Sequence, residues 1–149
     1  MPHTGVIDET LDGGRELLMR ARLHVEGSLR RFSKRMNEDA IAAMYDAISS
    51  AMQRYTYPDV VDITLDVSDG EILSDDATLF KILKRSGVID DSIDTSDFAY
   101  ISQILDAALE NRLESFDKTR FLKLSSNVLF QLRVLTSDEM QKLVEAISQ

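Results

Sequence analysis

Apolar positions between Arg15 and Met36 recur at helical spacing: Leu17, Leu18, Ala21, Val25, Leu29, Phe32 and Met36 share one face when each residue turns roughly 100° about an axis. A second run, from Asn37 to about Tyr55, divides its inward positions into a small stripe (Ala40, Ala43, Ala47, Ala51) and a bulky one (Ile41, Met44, Ile48, Met52, Tyr55). The polar break at Lys34-Arg35-Met36-Asn37 joins the two. Asn37 is the expected cap of the second helix, with Glu38 and Asp39 in the first turn, where the helix dipole favours negative charge. The pattern predicts a helical hairpin closing along its alanine flank.

Tyr57-Pro58 interrupts helix, and Val61, Ile63, Leu65 and Val67 then alternate with polar residues up to Asp69-Gly70. One strand has no ladder partner in a helical chain. The stretch reads as an extended connector over a bundle, with an edge for pairing to another copy as the alternative. Ser74 or Asp75 can cap a short helix to about Ser86 that stops at Gly87, with Val88 as the apolar follower. Thr95 or Ser96 opens a helix to about Phe116, with Phe98, Ile101, Ile104, Leu105, Ala108 and Leu109 on one face. The run from Lys118 to Leu135 is apolar around most of its circumference, which predicts a central helix or one covered by a partner. Thr136 and Glu139 stand at capping-box spacing before a last helix with Met140, Leu143, Val144 and Ile147. The expected fold is all-α: a single-domain up-down helical bundle of about five to six helices over residues 15–149. An extended connector lies near 58–70, and residues 1–14 form a flexible N-terminal arm.

Composition narrows the classes of function. The 149 residues suit one core, and the absence of cysteine excludes disulfides and thiol nucleophiles and fits the expected cytoplasmic location. Neither a signal peptide nor an apolar run of about 18 residues is present, so no membrane association is expected. A net charge of −9 opposes sequence-independent nucleic-acid binding. The charge is nonetheless bipolar. Seven basic residues lie between Arg15 and Arg35 against Glu16 and Glu26, whereas eleven acidic residues lie between Asp59 and Asp97 against Lys81, Lys84 and Arg85. Either the basic helix meets an anionic partner or the acidic segment of the same or a neighbouring chain neutralises it.

Residues 15–55, through Leu-His-Val-Glu-Gly-Ser-Leu and Ala-Ile-Ala-Ala-Met-Tyr-Asp-Ala-Ile, resemble the first helical pair of HEPN-like domains. The resemblance implies a four- to five-helix bundle associated with nucleotidyltransferase partners or nucleic-acid-linked defence, often as a ribonuclease. Such ribonucleases carry Arg, four to six residues, then His. Here the only histidines are His3 and His24, and Arg15, Arg20 and Arg22 stand at none of those spacings from His24. The remaining residues offer no cofactor motif and no His/Cys metal constellation; a catalytic triad is a spatial arrangement that sequence spacing does not decide, and the Asp75-Asp76 and Asp90-Asp91 pairs read as hydrated loop charge.

Two sets of candidate residues follow. Arg20, His24, Arg31 and Arg35 fall on one stripe and are candidates for binding phosphate or nucleic acid. Met19 and Leu23, with Phe130 and Val134, face away from the expected cores and are candidates for an oligomer interface. The expected function is a non-catalytic helical interaction module, a homodimer or the partner of another protein; the alternative is a HEPN-like nucleotide- or RNA-binding protein, as a ribonuclease or as the partner of a nucleotidyltransferase.

Overall fold

Small side chains bring the first two helices together. α1 (Gly13–Ser33) and α2 (Asn37–Arg54) run antiparallel, and Ser28 Oγ donates to the Ala40 carbonyl at 2.6 Å, a bond that requires close helix axes. Two turns from that bond on each helix stand Ala21 and Ala47, both fully buried, as are Ala40, Ala43 and Ala51, so the alanine flank expected from the sequence is buried and its first member, Ala40, meets α1. Ile41, Met44, Ile48 and Met52, also fully buried, occupy the rest of the circumference.

The computed structural model describes residues 13–57, 63–113 and 116–147, and within them the chain forms six helices and no strand. After the hairpin come α3 (Asp76–Arg85), α4 (Thr95–Leu109), α5 (Lys118–Gln131) and α6 (Ser137–Ile147). The hub is α2, which packs against α1, α3, α4 and α5. The Lys118–Leu135 run, expected to be central or covered by a partner, packs as α5 against α2, α4 and α6. α5 starts with Phe121 beside Phe32, near the α1–α2 turn, and ends with Leu132 beside Arg54 and Tyr55, so it runs parallel to α2. The loop before α4 lies against the second half of α5, where the Asp90 amide donates to Gln131 Oε1 at 2.7 Å, so α4 runs antiparallel to α5. The four long helices therefore alternate in direction.

Several helix ends differ from expectation, each for a local reason. Gly13 and Gly14 are helical and not part of an N-terminal arm; the rest of that arm lies outside the described residues. A Cβ on Gly13 would stand 2.6 Å from Tyr57 Cε1, so the glycine admits the tyrosine ring. α1 stops because Arg35 takes φ 61°, with the Arg35 amide donating to Phe32 O and the Met36 amide to Arg31 O, a Schellman closure. The cap of α2 is then Met36, without a side-chain bond, and Asn37 is already helical. Leu29 and Met36, expected inward, are 38% and 43% exposed.

α3 is capped by Asp75 and closed at Gly87 as the sequence predicts, with the Asp75 carboxylate accepting from the Thr78 amide at 3.0 Å. For α4 the cap is Asp94, paired with Asp97 in a capping box, and the helix ends at Leu109 where Asn111 turns to φ 56°. Ending there frees Phe116 to stack on Phe32 at 6.2 Å. The Thr136–Glu139 capping box forms as expected, with bonds of 2.9 and 3.1 Å.

Residues 63–68 are irregular, in keeping with a connector, while 58–62 lie outside the described residues. Leu65 and Leu73 pack on the core. Arg85 Nε donates to Asp66 O and Gln53 Nε2 to Leu73 O, tying the connector to α3 and α2.

Candidate functional site

The α1–α2 corner gathers cations at the C-terminal end of α1, where the helix dipole favours positive charge, without pairing them to described carboxylates. Gly27, Arg30, Arg31 and Lys34 occupy one helical stripe, at spacings of three, one and three residues, and with Met36 they line a notch of about 190 Å³. None of Arg30, Arg31, Lys34 or Arg35 has a described carboxylate within ion-pairing distance. Among the described residues five other cations are paired: Arg20 with Glu16 at 2.7 Å, Arg22 with Glu139 at 2.9 Å, Lys84 with Asp91 at 3.9 Å, Arg85 with Asp66 and Glu71, and Arg112 with Glu110; Lys81, Lys118, Arg120, Lys123, Arg133 and Lys142 have no described ion pair either, but they are dispersed along the chain from α3 to α6. The acidic segment between Asp66 and Asp97 is thus engaged by Arg85 and Lys84 and does not reach the basic corner. Lys118, at the start of α5, stands 5.3 Å over the Phe32 ring and adds a further cation close by.

The predicted stripe Arg20, His24, Arg31, Arg35 does not survive as a ridge. Arg20 is tied to Glu16. His24 is buried, 7% exposed, because it sits three residues from Ala21 and four from Ser28 on the face turned to α2. Arg31 lines the notch, and Arg35 has left the helix for the left-handed turn. Arg30 and Lys34 were missed as site residues. Their signal was present in the spacing from Gly27, which leaves a gap on a stripe otherwise basic.

The interface candidates separate as well. Met19 and Leu23 are half-buried and Phe130 is exposed, but Val134 is 1% exposed. α5 ends at Gln131 and Arg133 turns to φ 64°, so Val134 no longer follows the helical phase and swings into the core. Its carbonyl accepts from Arg22 Nη1, while Arg54 Nη2 and Tyr55 Oη both donate to the Leu132 carbonyl at 3.0 Å. These groups satisfy carbonyls at the end of α5 that the helix itself cannot. Arg54 is buried, and its Nε has no partner. Phe130 and Arg22 do share a surface depression of about 450 Å³.

A second polar cluster, not anticipated from sequence, joins α2 to α3. Tyr45 Oη and Ser49 Oγ each donate to the Asp76 carboxylate at 3.1 Å. Burial, followed by the Asp76 charge, pushes the Tyr45 hydroxyl well above its ordinary value. It therefore stays protonated and acts as a donor that holds α3. Beside it, between α3 and α4, a cleft of about 460 Å³ includes Phe80 and Phe98, whose rings stack at 4.7 Å, with Lys81 and Asp106 also among its walls.

Among the described residues no His, Asp and Glu side chains group as a metal site, and no helix is long and apolar enough to cross a membrane. Comparison with family models, curated proteins and solved structures finds no match to this chain.

Proposed function

We propose that this chain is a cytoplasmic helical interaction module that uses its α1–α2 corner to bind an acidic protein surface, most simply that of a second copy. The observation that carries the reading is the set of four cations in six residues with no described carboxylate partner, in a molecule whose net charge is −9. Like charges held together repel, and an acidic surface brought from outside relieves that cost. Leu29 and Met36, exposed at the same corner, supply apolar area for contact. A second copy offers the exposed Asp69 and Asp90, which have no described ion pair, beside Asp66 and Asp91, which pair with Arg85 and Lys84. Two-fold pairing would satisfy both corners at once and close the assembly.

Sedimentation velocity tests this. The parent protein is expected to be a dimer at tens of micromolar in low salt, to weaken as salt rises, and to become monomeric as Arg31→Glu/Lys34→Glu with unchanged helical content. A monomeric parent at low salt refutes self-pairing. The HEPN-like resemblance of residues 15–55 supports a second reading of the same corner, as a nucleotide- or RNA-binding surface. Co-purifying RNA that the Arg31→Glu/Lys34→Glu variant fails to retain would favour it.

A further inference from the structure

The notch formed by Gly27, Arg30, Arg31, Lys34 and Met36 has a composition that selects among anions, and we infer that it is a binding site for a phosphate monoester or free phosphate. Three of its five lining residues are cationic and none is acidic. Glu26, Glu38 and Asp39 are the nearest acids along the chain; all are exposed and none pairs with these cations.

The charge count chooses the ligand. A carboxylate brings one negative charge and two oxygens, which a single guanidinium fork satisfies, leaving the other two cations repelling each other. An internal phosphodiester also brings one charge. A terminal phosphoryl group carries about −1.5 to −2 at neutral pH on three acceptor oxygens, enough to engage two guanidinium groups and an ammonium together. Gly27, a buried residue of α1, lines the notch without a side chain, and the notch volume of about 190 Å³ suits a compact tetrahedral group. The free ion and the phosphoryl group of a nucleoside monophosphate share this chemistry.

The inference rests on the corner being the anion-facing surface of the proposed module, but its test is separate. Titration of ¹⁵N-labelled full-length protein with inorganic phosphate should give saturable shifts at the amides of Gly27, Arg30, Arg31 and Lys34. Arg31→Gln and Lys34→Gln should each weaken binding by about tenfold, the effect of removing one charge-assisted bond, while Lys142→Gln on α6 leaves it unchanged. Acetate and dimethyl phosphate should bind much more weakly. Adenosine monophosphate binding more tightly than phosphate assigns the source to a nucleotide, and equal binding assigns it to the free ion. Absence of saturation, equal affinity for dimethyl phosphate or acetate, or undiminished binding by both Gln variants overturns the site. Protein that dimerises yet fails to bind phosphate refutes the notch and leaves the module standing.

Discussion

Replacing Ala47 with leucine probes the packing of α1 on α2. Ala47 is fully buried on α2, as is Ala21 on α1, each two turns from the 2.6 Å bond that joins the helices. Leucine adds three heavy atoms. In a ready-made cavity those atoms would stabilise the fold by about 0.8 kcal/mol each. Fully buried Ala47 has no such space beside it, so the side chain must leave its rotamer or push α1 away. Separation would also stretch the Ser28–Ala40 bond. The expected cost is about 1–3 kcal/mol, or roughly 2–12 °C in Tm for a domain of this size. Ala42→Leu is the control, because Ala42 is only half-buried and the change should stay within about 0.5 kcal/mol. Thermal and urea unfolding followed by circular dichroism reads both. Equal midpoints, or a larger loss at Ala42, would show that the alanine stripe is not the contact face.

Other expectations concern the far end of the bundle. Tyr55→Phe removes one of two donors to the Leu132 carbonyl and should cost about 1 kcal/mol by urea unfolding, because Arg54 still occupies that acceptor. A loss several times larger would mean that the tyrosine alone holds the end of α5. The Thr136 amide, with Arg22 nearby, holds the Glu139 carboxyl below its usual range. A depressed carboxylate contributes stability above its unfolded value, about 4.3, and that contribution disappears as pH falls through the lower folded value. The pair is partly exposed, so Glu139→Gln should cost only about 0.5–1 kcal/mol at pH 7, and the difference from the parent should vanish in acid. A pH-independent difference would contradict the assignment. Hydrogen exchange should find α6 opening before α2, because α6 packs on α5 and reaches α1 through the exposed Arg22–Glu139 pair, while α2 packs against four helices. Stronger protection in α6 would reverse that order.

Local chemistry carried much of the fold. The 3.6-residue period of α1 and α2, the alanine flank, the Asp75 cap, the Gly87 stop and the Thr136–Glu139 capping box are each properties of a few neighbouring residues, and each is legible in the chain as written. Where α4 and α5 end was not, because Asn111 and Arg133 take positive φ without being glycine; Arg35 does the same, but inside the Lys34–Asn37 break that the sequence marks. A non-glycine residue enters that region when the contacts it permits exceed its cost, and those contacts come from elsewhere in the molecule. Stopping α4 early releases Phe116 onto Phe32, and stopping α5 early turns Val134 inward. The same limit governed the candidate site. Period and charge marked the basic stretch of α1 and, at i,i+4 spacing, the Glu16–Arg20 pair, but only packing decided that Arg22 would be neutralised by Glu139 and His24 buried. The turn at Arg35 then left Arg30, Arg31 and Lys34 around an open notch. Side-chain charge is written in the chain, whereas its neutralisation depends on distances that tertiary structure sets.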